Sequence, residues 1–235
     1  MVTIPIKGEI IPTDYQDVYD FFGYEGCSPK SVNDALAEAG GQDVTLEINS
    51  PGGYVDSGSE IYTALKNYSG KITANIVGQA CSSASWIALA ADHVAISPAA
   101  QMMIHRASTA SAGNSDDMAS ALHSLDSMDS AFVDLYAKKT GKSAQEIYQM
   151  MCKTTWMNAK EAVENGFADE IMFENELAMT NADGSLSISP SMINKVKNLI
   201  AKSKMSGDDN KPTQNKKDNS KEGQDKNNLS LLLWN

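Results

Sequence analysis

The chain has 235 residues, with 19 Lys and Arg against 30 Asp and Glu and a formal net charge of −11. This length holds one sizeable core plus appendages, and the acidic balance argues against nucleic acid or anionic membrane as main partner, since both recruit Lys/Arg patches. Cys27, Cys81 and Cys152 are too few and too widely spaced for a disulfide framework or a metal-ligand set, which fits a reducing compartment. No apolar run approaches the ~20 residues of a bilayer span. Residues 1–11 alternate like a strand instead of presenting a signal-peptide core. The expectation is a cytoplasmic chain with no metal and no membrane.

Residues 2–11 read as a strand in which Pro5 marks an edge position. Helical spacing follows over 28–41, with Val32, Leu36 and Ala39 on one face and Gly40-Gly41 as the stop. Residues 44–49 alternate as a strand that ends in a turn at Ser50-Pro51-Gly52-Gly53. A helix over 57–68 carries Ile61 and Leu65 on one face. The strand over 71–77 runs into Gly78-Gln79-Ala80-Cys81-Ser82, and small residues lead from Ser82 into a closely packing helix. Residues 94–96 and 102–104 are short strands.

The longest predicted helix lies within 113–141, capped by Asn114 or Ser115. Asp116 and Asp117 favour its positive end, Lys138 and Lys139 its negative end. Met118, Leu122, Leu125, Asp129, Phe132 and Tyr136 recur along it, with Asp129 alone out of character. The pairs Ser143/Glu146 and Asn158/Glu161 resemble capping boxes that open two further helices, and 168–173 returns as a strand. Repeated strand–helix units predict an α/β fold with largely parallel pairing. Beyond about residue 175 the pattern fades. The chain therefore divides into a folded domain over 1–175, a short helical extension over 176–202 around Met192, Val196 and Leu199, and a polar tail over 203–235. The tail has too little to bury to fold and closes on an apolar stretch, 229–234, read either as a docking tag or as a fortuitous terminus.

Chemistry concentrates at few places. A strand ending in Gly, followed by small residues and a Ser that opens a helix, sets the Ser82 hydroxyl beside free N–H groups able to stabilise an oxyanion; Gly-x-Ser-x-Gly itself is absent. Taken alone, Ser82, Ser83 and Ser85 are better explained as small residues permitting tight packing. Gly52-Gly53 after a strand exposes backbone N–H groups, and neither a Rossmann fingerprint nor a Walker A loop is present. Of the three histidines, His105 ends an apolar strand, His123 lies one off the helix stripe and His93 falls in a loop. The last two read as surface residues, and His105 gains meaning only when paired with Ser82.

Together these segments resemble the Clp protease family over roughly residues 2–173. Ile48-Asn49-Ser50-Pro51-Gly52-Gly53 matches its glycine-rich turn, and Gly78-Gln79-Ala80-Cys81-Ser82 its nucleophile segment, with Cys81 where alanine is usual. Met102-Met103-Ile104-His105 matches its histidine strand, and Glu161 through Asp169 its closing helix–turn–strand. Ser83-Ala84-Ser85, Ala88-Leu89-Ala90-Ala91-Asp92 and Thr155-Trp156-Met157-Asn158-Ala159 further resemble the branch encoded by tailed phages and prophages, whose members serve as head maturation (prohead) proteases.

The resemblance implies a crotonase-like α/β fold with a long protruding helix, and homo-oligomeric rings (a heptamer or double heptamer) enclosing the active sites. It implies no cofactor, and a protein or peptide substrate, namely capsid or scaffold protein in the host cytoplasm. By position, Ser82 is the nucleophile and His105 the general base, and the backbone N–H groups of Gly53 and Ser83 form the oxyanion hole. The family's third residue, Asp or Glu, falls at Thr154, which carries no charge. A dyad, a substitute carboxylate such as Asp126 or Asp129, and weak catalysis all stay open. Two other readings compete. One is a peptidase fed by an AAA+ unfoldase, for which the short stretch before Ile10 leaves little room for a pore loop. The other is an acyl-CoA enzyme or inactive ring-forming protein of crotonase fold, which has no need of Ser82 and His105 in register.

Overall fold

The computed structural model describes residues 2–174, together with positions 179–180, 186–187 and 197. Strand β1 (Val2–Ile10) is followed by a 3-10 turn (Thr13–Tyr15), α1 (Gln16–Phe22), β2 (Gly26–Cys27), α2 (Pro29–Ala39), β3 (Val44–Gly53), α3 (Val55–Asn67), β4 (Ile72–Cys81) and α4 (Ser83–Leu89). Then come β5 (His93–Ile96), β6 (Gln101–Ile104), α5 (Ser115–Thr140), α6 (Ala144–Cys152), β7 (Thr155–Asn158), α7 (Ala159–Glu164) and β8 (Glu170–Ile171). A two-stranded pair, β9 (Met179–Thr180) and β10 (Leu186–Ser187), lies beyond. The main sheet runs β2-β1-β3-β4-β5-β8, with β6 pairing both β4 and β7. All of its pairings are parallel except β6 with β7. This is the expected α/β architecture. Pro5 lies where β1 pairs only β3 among the described strands, so its missing N–H breaks no ladder.

The core forms where the alternating faces of β1, β3 and β4 meet the apolar stripes of the helices. Ile4, Ile6, Leu46, Ile48, Ala74 and Ile76 are buried from the sheet, Val32, Leu36, Ile61 and Leu65 from α2 and α3. All seven residues of α4 are buried, which its Ala and Ser content makes possible by letting neighbouring backbones approach. Helix ends follow the local signals. Ser143/Glu146 and Asn158/Glu161 form full capping boxes, as do Asn114/Asp117 and Ser28/Ser31.

Four expectations need correction. Residues 50–53 are not a separate turn: they continue β3 to Gly53, because β1 and β4 still supply partners there. His93 is not in a loop but starts β5, where its ring meets the carboxylates of Glu170 at 3.1 Å and Asp169 at 3.7 Å. The stripe along α5 is not one buried seam. Met118 and Leu122 are exposed, and burial begins at Asp129, because the N-terminal part of this 26-residue helix extends past the sheet's cover. The final strand is shorter than 168–173, since only Glu170 and Ile171 find partners on β5. The helix around Met192, Val196 and Leu199 and the tail over 203–235 lie outside the described residues. Among the described residues no helix is long and apolar enough to cross a membrane, and no group of three or more His, Cys, Asp or Glu is placed to hold a metal ion.

Candidate active site

Strand β4 makes the site by changing partners. Over Thr73–Ile76 it pairs β5, and over Gln79–Cys81 it pairs β6. Between these stretches its register against β3 slips, Ile48 facing Ile76 but Ser50 facing Ala80. Gly78 occupies the slip, and a Cβ there would lie 2.3 Å from Asn49 Oδ1, so only glycine lets the two strands close. The new partner, β6, is held on its other side by β7 and delivers His105 one residue past its end. Because Cys81 pairs Met103, the Ser82 N–H donates to the Met103 carbonyl at 2.9 Å, and Ser82 Oγ lies 2.8 Å from His105 Nε2.

Ser82 adopts φ 52, ψ −125, a conformation that costs a non-glycine residue roughly 1–3 kcal/mol and persists only when its surroundings impose it. The imposing contacts are identifiable. The Ser82 carbonyl accepts from Ser85 N at 2.9 Å and Ser85 Oγ at 2.6 Å. Ser85 has one hydroxyl proton, already given to Ser82, so the 2.7 Å contact with Tyr136 has the tyrosine donating. A buried chain thus runs from α5 through Ser85 to the nucleophile turn, and burial drives the Tyr136 phenol pKa well upward, keeping it a donor.

Gly52 closes the other side. Its φ is +90, and a Cβ there would meet Cys81 O at 2.6 Å and Ser82 Cβ at 2.7 Å. The next residue, Gly53, is closed off too: its Cβ would lie 2.1 Å from Ile10 O. Gly53, Ser82, Ser83 and His105 line one small cavity of about 60 Å³, walled by Trp86 and Phe132, whose rings meet edge to face at 4.0 Å. All four residues singled out for nucleophile, base and N–H donors are therefore brought together. Cys81, next to Ser82, is no rival nucleophile, since burial pushes its thiol up to about 11.

Thr154 follows α6 at φ 50, one rung beyond the Ile104–Thr155 pair and so level with His105. Among the described residues no carboxylate is hydrogen-bonded to His105. Asp129 does not serve it: one carboxylate oxygen accepts from Arg106 Nε at 2.5 Å, the other from Ala107 N at 2.8 Å. Asp126 also turns to Arg106, at 3.1 Å. Arg106, the chain's single arginine, is missed by pattern reading, as are Asp129's anchoring role and the Ser85–Tyr136 chain. The available signal was Asp129 itself, a charge on an apolar stripe.

Comparison with known proteins agrees with the site. The family model described as Clp protease matches residues 34–175, more than half of the chain. The proteolytic subunit 1 of an ATP-dependent Clp protease from Chlamydia muridarum is 30% identical over 176 residues, spanning 70% of this chain and 92% of the relative. The protein of the same description from Chlamydia trachomatis serovar D is 29% identical over the same shares. The sheet, the matched segment and these relatives together place the chain in the Clp protease family, whose members are serine-type peptidases.

Proposed function

We propose that this chain is a serine endopeptidase in which Ser82 is the nucleophile and His105 the general base. The observation that carries the reading is the 2.8 Å contact between Ser82 Oγ and His105 Nε2 on a strained turn. Ser82 Oγ–H donates to Nε2. On attack the proton passes to the imidazole, the Oγ–carbon bond forms, and the carbonyl oxygen takes the negative charge. The N–H groups of Gly53 and Ser83 receive that oxyanion, one such donor contributing about 3 kcal/mol. The imidazolium then protonates the leaving amine, and water repeats the sequence to release the acyl product. Thr154 supplies no charge, so the machinery is a dyad. The peptidase domain spans residues 1–175, a boundary supported by the family match ending at 175. Labelling with a fluorophosphonate, mapped by mass spectrometry, is expected at Ser82 in wild type and lost in Ser82→Ala and His105→Ala. Absence of label in a folded wild-type assembly would overturn the reading.

In its narrower form we infer a phage or prophage head maturation protease acting on capsid or scaffold protein in a homo-oligomeric ring, supported by the sequence motifs around Ser83, Ala88 and Trp156. The exposed Met118 and Leu122 on α5 suit an assembly contact. The names of the curated relatives favour a second reading, the proteolytic subunit of an ATP-dependent machine. Co-expression with a capsid or scaffold protein separates the two: cleavage without any ATPase supports maturation, and cleavage only with an unfoldase supports the second.

A further inference from the structure

The cavity beside Ser82 carries an unspent polar capacity. Ser83 Oγ and Trp86 Nε1 are buried in residues only 1% and 5% exposed, and neither has a hydrogen-bond partner among the described residues. Both side chains line this cavity. They stand three apart on α4, hence on one face, and the element packed over them is α3 at Gly58. A Cβ at Gly58 would lie 3.6 Å from Ser83 Oγ and 3.4 Å from Trp86 Cζ2, so α3 offers them no polar group. Leaving a buried donor unpaired costs about 1–3 kcal/mol, and native proteins rarely do so without a use.

We propose, resting on the peptidase reading above, that this cavity receives the substrate side chain on the acyl side of the scissile bond and selects a carboxamide, that of Asn or Gln. An indole N–H only donates, whereas a hydroxyl both donates and accepts. A carboxamide presents the complement, a carbonyl oxygen for Trp86 Nε1–H and an NH₂ group for Ser83 Oγ. A carboxylate fits less well. The walls, Val55, Trp86 and Phe132, are apolar, and the nearby cation, Arg106, is already neutralised by Asp129 and Asp126. An aliphatic side chain fills the space and leaves both polar groups unpaired, and a site built to hydrogen-bond discriminates strongly against such an analogue.

The test uses the full-length protein and peptides differing only at that position: Asn, Gln, Asp, Glu, Leu or Met. The better carboxamide substrate is expected to exceed Leu in kcat/KM by about ten-fold or more. Trp86→Phe, which keeps the ring and deletes the N–H, should collapse that ratio toward unity, and Ser83→Ala gives an independent second reading should Trp86→Phe fold poorly. Wild type preferring Leu, Met or an acidic residue, or a ratio unmoved in both variants, overturns the inference. Fluorophosphonate labelling of the same samples separates the failures. Labelled Ser82 without carboxamide preference sinks only the pocket assignment, while unlabelled, inactive protein sinks the peptidase reading and this one with it.

Discussion

Asp129 and Arg106 form an ion pair whose two halves should fail differently. The Asp129 side chain is 2% exposed and that of Arg106 38%. Asp129→Ala removes two charge-assisted acceptor contacts, to Arg106 Nε and Ala107 N, each worth about 1.5–3 kcal/mol. It also removes the expense of burying a carboxylate, and the freed guanidinium regains water through its exposed side. The expected net loss is about 2 kcal/mol. Arg106→Met does the reverse: it strands a buried carboxylate with only the Ala107 N–H, which places it in the range of about 3–5 kcal/mol for breaking a buried pair. The more exposed residue should therefore be the more costly one to remove. Urea unfolding at pH 7, followed by tryptophan fluorescence, measures both. Because Ala107 lies two residues after His105, both variants should also lower kcat in peptide hydrolysis. Equal losses, or an Arg106→Met cost below about 1 kcal/mol, would refute the reasoning, since Asp129 would then be behaving as a solvated surface group.

Two further outcomes follow from the same geometry. Thr154 is level with His105 and uncharged, so Thr154→Glu should raise kcat by about ten-fold or more through stabilisation of the imidazolium. Thr154→Gln should not, and equal rates in the two variants would remove the electrostatic explanation. Burial pushes the Cys27 thiol up to about 12 from 9.0. Between those values the unfolded chain loses its proton while the folded chain keeps it, so stability is complete below pH 9 and falls as the pH rises toward 12. Comparing unfolding free energies at pH 8 and 10.5, wild type should lose on the order of 2 kcal/mol more than Cys27→Ala, and parallel losses would contradict the burial argument.

Much of the fold was legible in the chain itself, and for definite reasons. Period-two alternation in 44–49 and 72–76 and the four-residue spacing of Ile61 and Leu65 reflect which faces meet the core, a local property that the residue order records directly. The capping pairs Ser143/Glu146 and Asn158/Glu161 act across three residues and were readable for the same reason. Ser82 and His105 were legible as candidates because their strand ends resemble a known family. What the order of residues does not contain is distance between separate segments. That Ser50–Gly53 remains strand depends on partners from β1 and β4. That Ser82 reaches His105 depends on β4 exchanging β5 for β6 at Gly78. That Asp129 anchors the segment after His105 instead of serving the imidazole depends on where α5 crosses Arg106 and Ala107. Local pattern determined the elements and nominated the nucleophile. Only the packing of distant elements decided which carboxylate faces which cation, and which buried donors are left for a substrate, because a hydrogen bond is set by ångström-scale separations that no periodicity encodes.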